Sequence, residues 1–367
     1  MNTKKILFIC NTYMQLITAV QLRLKFLTEE DADILISDHS INSQMIAANL
    51  KKCNLFNRVR NIQTKYIMYE QGKLADFKDI IEFTFGFRSK IGDMLWQDAT
   101  YDAIYYYNQD LITLCAYDLS VKNGKKPICN SFEEGILSYT AVHNSYASGR
   151  MKAIRILRKL LRKDTIFDIT KDFYCFYPGI FQQNGWTCHG IPHLDRADKT
   201  LLETVNLIFD YHPERDSYSQ KYIFFASSSD IDGNPVGETE LVLRIADIVG
   251  KENLLVKMHP RDGRKVYEEH GIAVSRNSAI PWEVIQLNHD FSDHVFLTLS
   301  SGSVLNASSM LQDHIPTYFL FPCVRGRNEA FDRGYAKEIE STIKELQRTE
   351  TLQGIRMLEK PSDLLEL

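Results

Sequence analysis

The stretch Leu254-Leu255-Val256-Lys257-Met258-His259-Pro260-Arg261 decides how this chain is read. Its apolar residues, interrupted once by Lys257, are too few for a helix and suit a strand of a parallel sheet buried on both faces. Pro260 has no N–H to extend a ladder and biases His259 towards extended backbone. The run therefore ends by presenting an imidazole and a guanidinium past the carboxyl end of a strand, where open α/β sheets bind ligands. Taken alone, His259 is as well explained as the cap of a turn. The flanking sequence gives it a larger meaning.

Working outward, residues 221–226 (KYIFFA) open a strand series, and a polar loop over 227–237 leads to a helix over 238–249. After the central stretch come a short strand at 272–274 and Ile280-Pro281-Trp282-Glu283, which starts a helix with proline near its first turn. A strand over 295–299 ends in Ser300-Ser301-Gly302-Ser303 before a helix at 304–311. A further strand follows at 317–321, then a charged helical stretch over 329–348 expected to cross back towards the first half. The amino-terminal half alternates in the same way. Strands are predicted at 6–10, 32–36, 102–107 and 127–129, and helices at 14–26, 41–50 and 110–119, with Asn11 or Thr12 as the first cap. Such alternation implies parallel sheets. The first turn contains no glycine, which excludes the GxGxxG dinucleotide fingerprint.

At 367 residues the chain exceeds one ordinary core, so two domains are expected: 1–205 and 220–367, joined near 206–219. A composition of 44% hydrophobic and 25% charged residues is that of a globular protein, and a net charge of −4 argues against nucleic acid as the partner. Lys4 and Lys5 precede an apolar run too short for a secretory signal, and no run approaches the ~18 residues of a membrane span. Seven scattered cysteines, an odd number without a CxxC pair, suit a reduced cytoplasmic protein. Cys188, His189, His193 and Asp195 are close in sequence, but Gly190 and Pro192 break the helical spacing that a zinc-binding histidine pair needs. Residues 149–164 carry Arg150, Lys152, Arg155, Arg158, Lys159, Arg162 and Lys163 around Ile154, Leu157, Leu160 and Leu161. A basic amphipathic helix of this kind either packs its apolar stripe on the domain or binds an anionic membrane surface.

Three short motifs stand behind predicted strands in order: Glu133-Glu134-Gly135, His259-Pro260 and Ser300-Ser301. Together they resemble the (D/E)(D/E)G, HP and S(S/T) motifs of bacterial sialyltransferases. The opening ILFICNTYMQLITAV and the length most resemble the lipooligosaccharide and capsule enzymes, glycosyltransferase family 52. The resemblance implies a GT-B fold, two Rossmann-like α/β domains facing each other across a cleft, and inverting transfer of sialic acid from CMP-sialic acid to a terminal sugar, galactose by family expectation. It implies no cofactor and no metal. It also implies a glycan acceptor shaped by the first domain, and homodimerisation; of the two readings of the basic helix near Arg155, the membrane one would dock a cytoplasmic enzyme at the inner membrane face where such acceptors sit.

The residues suit that chemistry. A base must take the acceptor proton, and adjacent charges in Glu133 and Glu134 would raise one pKa towards a useful value. Glu134 is the first candidate, Glu133 its orienting partner, with the reverse order open. By resemblance His259 donates to the CMP phosphate. Ser300, Ser301 and Ser303, at a helix start, are placed to hold the same anion. Glu283 is the candidate for the cytidine ribose, and Lys257, Pro260 and Arg261 flank the phosphate. Asp230-Ile231-Asp232 competes. As a DxD it could bridge a cation to a diphosphate, but a CMP donor has one phosphate and needs no bridge. Asp232 or Asp230 could instead serve as the base. The rival readings are a GT-B transferase using a UDP-sugar or CDP-glycerol, and a non-catalytic binding protein that keeps the shell.

Overall fold

Short β-branched and aromatic runs bounded by polar turns build two all-parallel sheets. The computed structural model describes residues 3–64, 80–85, 90–108, 110–135, 138–141, 149–180, 186–227, 229–230, 235–259, 261–275, 277, 279–348 and 354–366. The chain divides into two units, Met1–Pro192 with Asp198–Asp210, and His193–Ala197 with Tyr211–Leu367.

In the first unit the strands are β1 (Lys5–Cys10), β2 (Asp31–Ser37), β3 (Arg58–Ile62), β4 (Ala103–Tyr106), β5 (Ile128–Phe132), β6 (Asp172–Cys175) and β7 (Thr187–Gly190). They lie in the order β3-β2-β1-β4-β5-β6-β7. The order reverses between β1 and β4, the switch point where such sheets bind ligands. Residues Ile6 to Cys10 are each at most 2% exposed, and the Phe8 ring stacks on Tyr105 at 5.1 Å and meets Phe132 edge-on. A strand buried on both faces reads as an unbroken apolar run, which is why β1 and β2 were legible.

The second unit repeats the plan with β8 (Tyr222–Phe225), β9 (Leu254–Lys257), β10 (Ala273–Val274), β11 (Val295–Thr298), β12 (Thr317–Phe319) and β13 (Ile355–Met357), in the order β10-β9-β8-β11-β12-β13. Its switch point falls between β8 and β11. Trp282, 1% exposed, packs edge-on against Phe225 at 4.7 Å and tilted against Phe291 at 4.9 Å, which fixes the first turn of the Trp282–Asn288 helix.

At four stretches the structure adds to or departs from the linear reading. The link expected near 206–219 begins inside an eleven-residue helix, Lys199–Phe209, capped by Asp198, whose side chain accepts from the Leu201 N–H. Leu201, Val205 and Ile208 are wholly buried along it at helical spacing. Cys188 and His189, where the sequence argued against a zinc-binding pair, lie on β7, and His189 pairs with Asp172 across to β6 at 2.7 Å. In the basic Gly149–Leu160 helix only Ile154 of the anticipated apolar stripe is buried. Leu157, Leu160 and Leu161 are exposed, and Arg158 is buried beside Ile154. The stretch 329–348 is helical in two pieces, Glu329–Phe331 and Lys337–Arg348, with a five-residue π-helical turn between them, and it belongs to the second unit.

Candidate active site

In the first unit, β-register decides which residues meet. Phe8, Tyr105 and Asn130 are aligned across β1, β4 and β5. Asn11, Asn108 and Glu133 each follow three residues later, so they emerge level at the carboxyl ends of the switch-point strands. The turn after β1 becomes a polar hub. The Asn11 amide Nδ2 donates to Asp110 at 2.6 Å and to Asn108 at 3.3 Å, and Gln15 Nε2 donates to Asn108 at 2.7 Å. Thr12 caps the Tyr13–Lys25 helix and Asp110 caps Leu111–Lys122, each accepting a first-turn N–H.

The two glutamates part company here because successive side chains of extended backbone point to opposite faces. Glu133 is wholly buried; its Oε2 accepts from the Tyr139 hydroxyl and, at 2.9 Å, from the Phe176 N–H. Burial lifts its carboxyl to about 7 against those two donors. Glu134 is only partly buried and turns to the hub. Burial lifts it to about 7 as well, opposed by hydrogen bonds from Thr12 and Gln15, while the Asp110 charge adds to the rise. Mutual repulsion between the glutamates, the cause expected from sequence, is not what raises either. Glu133 is a buried brace for the Tyr139 and Phe176 region, and Glu134 is the acid that a ligand can reach. Its N–H is held by the Ser138 hydroxyl at 2.9 Å. Gly135 follows at φ +137°, a conformation L side chains rarely adopt, which accounts for the glycine of the EEG turn.

In the second unit, Lys257, Phe225 and Thr298 are aligned across β9, β8 and β11. His259, Ser227 and Ser300 follow two residues later on strands spaced about 4.8 Å apart, so the imidazole and the serine turn flank β8 with about 10 Å between them. His259 is partly buried, and its Nδ1 accepts the Arg261 N–H at 3.2 Å. That bond puts the proton of the neutral ring on Nε2. Arg261 itself is exposed.

The serine turn differs from expectation in one respect. The N–H groups of Ser300 and Ser301 both donate to Thr298 Oγ1, at 3.2 and 2.8 Å, so these two amides are spent on holding the turn. Ser300 is 2% exposed. The anion-facing part is the partly exposed hydroxyl pair Ser301 and Ser303, linked at 2.7 Å at the start of the Ser303–Leu311 helix. Lys257 is buried, which draws its ammonium down to about 8 against the charges of Glu283 and Asp216; its Nζ reaches the Ile280 carbonyl at 3.4 Å. Glu283 is buried and raised by that burial, with the Lys257 charge opposing. The two thus form a coupled buried pair at the switch point.

Asp230 is committed elsewhere. Its oxygens accept the N–H groups of Val236 and Thr239 and the Thr239 hydroxyl; burial would raise it, but these donors hold it below the usual carboxylate range, the wrong direction for a base. Asp232 and Pro260 lie outside the described residues. Among the described residues no group of three or more His, Cys, Asp or Glu side chains is arranged to hold a metal ion.

With two switch points of this chemistry in view, comparison with known proteins supplies the family. The model of the alpha-2,8-polysialyltransferase (POLYST) family matches residues 6–314. The chain belongs to the alpha-2,8-polysialyltransferase family. The match carries the sialyltransferase resemblance of the three motifs, but not its narrower assignment to the lipooligosaccharide and capsule enzymes. No curated protein matches significantly. Solved structures share the fold at low identity. The glycotransferase of kitacinnamycin aligns at TM-score 0.54 with 12% identity, over 99% of this chain and 89% of its own. The calicheamicin glycosyltransferase CalG4 aligns at 0.52 with 12% identity, over 100% and 89%. The architecture is GT-B, two Rossmann-like domains of parallel sheet. This polysialyltransferase-family chain also carries site residues that sequence reading passed over: Gln15, Asn108 and Asp110 around Glu134, and Thr298 beneath the serines. The available signal was a cluster of amides and a cap directly behind β1 and β4.

Proposed function

We propose that this chain is an inverting, metal-independent sialyltransferase using CMP-sialic acid. One observation carries the reading: the family match spans both switch points, and each supplies a part of the chemistry that the other lacks. Glu134, reachable and titrating near neutrality, takes the proton of the acceptor hydroxyl as its oxygen bonds to the anomeric carbon of sialic acid. The bond from that carbon to the phosphate oxygen breaks, and its electron pair leaves with CMP. His259 donates its Nε2 proton to the departing phosphate, and the Ser301 and Ser303 hydroxyls hydrogen-bond the same group. Glu283 takes the ribose hydroxyls, with Lys257 balancing its charge. An oxocarbenium-like transition state needs this timing of base and leaving-group acid. The family's description supports an acceptor ending in sialic acid rather than galactose, with a 2,8 linkage.

A donor screen read by mass spectrometry tests the proposal. CMP-sialic acid should be consumed in the presence of a sialylated oligosaccharide, equally with and without a chelator, while UDP-sugars and CDP-glycerol stay intact. Consumption of a UDP-sugar or of CDP-glycerol, or loss of activity on chelation, would overturn it.

A further inference from the structure

The Gly149–Leu160 helix is built inside out. Its inward face carries Ile154 and Arg158, and Arg158 is wholly buried with a two-pronged ion pair to Asp118 at 2.6 and 3.1 Å. The same guanidinium donates to the carbonyls of Phe83 and Asp164. A buried charge with this many partners fixes the rotation of the helix. The opposite face is thereby turned to solvent, and it is the apolar one: Ile156 is 62% exposed and Leu160 74%, with Leu157 and Leu161 also exposed. These four stand at i, i+1, i+4 and i+5, so they form one continuous patch. A surface helix ordinarily buries its apolar stripe, and a contiguous exposed one marks an interaction surface.

The charges beside the patch identify the occupant. Residues 149–163 hold seven basic side chains and no acidic one, in a chain whose net charge is −4. Lys152, Arg155, Ile156, Lys159 and Lys163 line a cavity of about 560 Å³ that is completed by Asp164, Thr165 and Asp168, so cations outnumber acids there by four to two. Arg155 is paired with Asp168 and Lys163 with Asp118, whereas Lys152 and Lys159 are exposed on the same side as Ile156. A soluble polyanion would use the cations and leave the isoleucine and leucines in water. A negatively charged bilayer uses both, because apolar side chains enter the acyl boundary while lysines meet lipid phosphates. We propose that this face docks the protein on an anionic phospholipid surface, with Ile156 and Leu160 inserted and Lys152 and Lys159 on the headgroups. The inference stands independently of the sugar donor and of the assignment of the base.

Co-sedimentation of the full chain with vesicles tests it. The protein should pellet with phosphatidylcholine vesicles containing phosphatidylglycerol and stay in solution with phosphatidylcholine alone. Ile156→Ser with Leu160→Ser, and separately Lys152→Glu with Lys159→Glu, should each weaken binding by ~10-fold or more. All four positions are exposed, so thermal unfolding of the variants should match the parent. Failure of the parent to bind phosphatidylglycerol vesicles overturns the proposal, as does unchanged binding of the serine variant. Loss of binding only in the glutamate variant, with heparin displacing the parent from vesicles, would make the face a polyanion site and also overturn it.

Discussion

The two switch points share a topology and differ in almost everything chemical. Both lie where a parallel sheet reverses its order, and in both the level of the emerging residues is set by strand register. Behind β1, β4 and β5 gather amides and carboxyls, with Glu134 drawn up to about 7. Behind β8, β9 and β11 gather an imidazole with its proton on Nε2, a lysine drawn down to about 8 and a hydroxyl pair. The lesson is that the fold supplies the location and the last two or three residues after each strand supply the role. On the proposed reading, one end accepts a proton and the other donates one and holds an anion.

The sharpest way to break this contrast is to remove its two poles. Glu134→Gln and His259→Ala should each lower kcat for transfer by ~10²-fold or more, the range for losing a general base or acid. Near-parental turnover of either variant would undo the assigned division. Glu133→Gln separates the buried glutamate from the reachable one. The folded carboxyl of Glu133 sits near 7, above its value of 4.5 when unfolded, so the native state holds more protons between those values and stability falls as pH rises through that window. The glutamine variant should therefore gain up to about 3 kcal/mol at pH 8 by urea unfolding and change little at pH 5. A gain of equal size at both pH values would rule out titration of Glu133 as its source.

Next in size is the donor side. Glu283→Ala should raise the KM for the donor by about tenfold with a smaller change in kcat, because it removes binding common to ground and transition states. A fall in kcat at unchanged KM would place Glu283 in the chemical step instead. The smallest effect expected is on the pH profile. The kcat of the parent should fall as pH drops through about 7 with the protonation of Glu134, and Thr12→Val, which removes one donor to that carboxylate, should move the limb upward by a fraction of a unit. An unmoved limb would mean that the titrating base lies elsewhere.

Much of this was written in the linear chain. Central strands β1, β2, β8, β9 and β11 are buried on both faces, so their apolar runs stand out, and in the sequence Pro260 and the serine turn mark where the runs of β9 and β11 stop. The edge strands β3, β7 and β13 were missed because an edge needs fewer apolar residues; Arg58-Val59-Arg60-Asn61-Ile62 and Thr187-Cys188-His189-Gly190 do not read as core. Residues 206–209 read as the start of a link, yet they close the Lys199–Phe209 helix, whose buried positions recur at helical spacing.

Sequence alone determined the kind of fold, the order of the motifs and the identity of the acids, the histidine and the serines, because these depend on local pattern and on chemistry that each side chain carries wherever it goes. Tertiary structure decided which glutamate a ligand can reach, which ring nitrogen of His259 bears the proton, which serine amides are already used and which face of the basic helix meets solvent. Each of those depends on a partner distant in the chain: Phe176 for Glu133, Gln15 for Glu134, Asp118 for Arg158. Burial and hydrogen bonding are properties of neighbours in space, and no reading of spacing along the chain contains them.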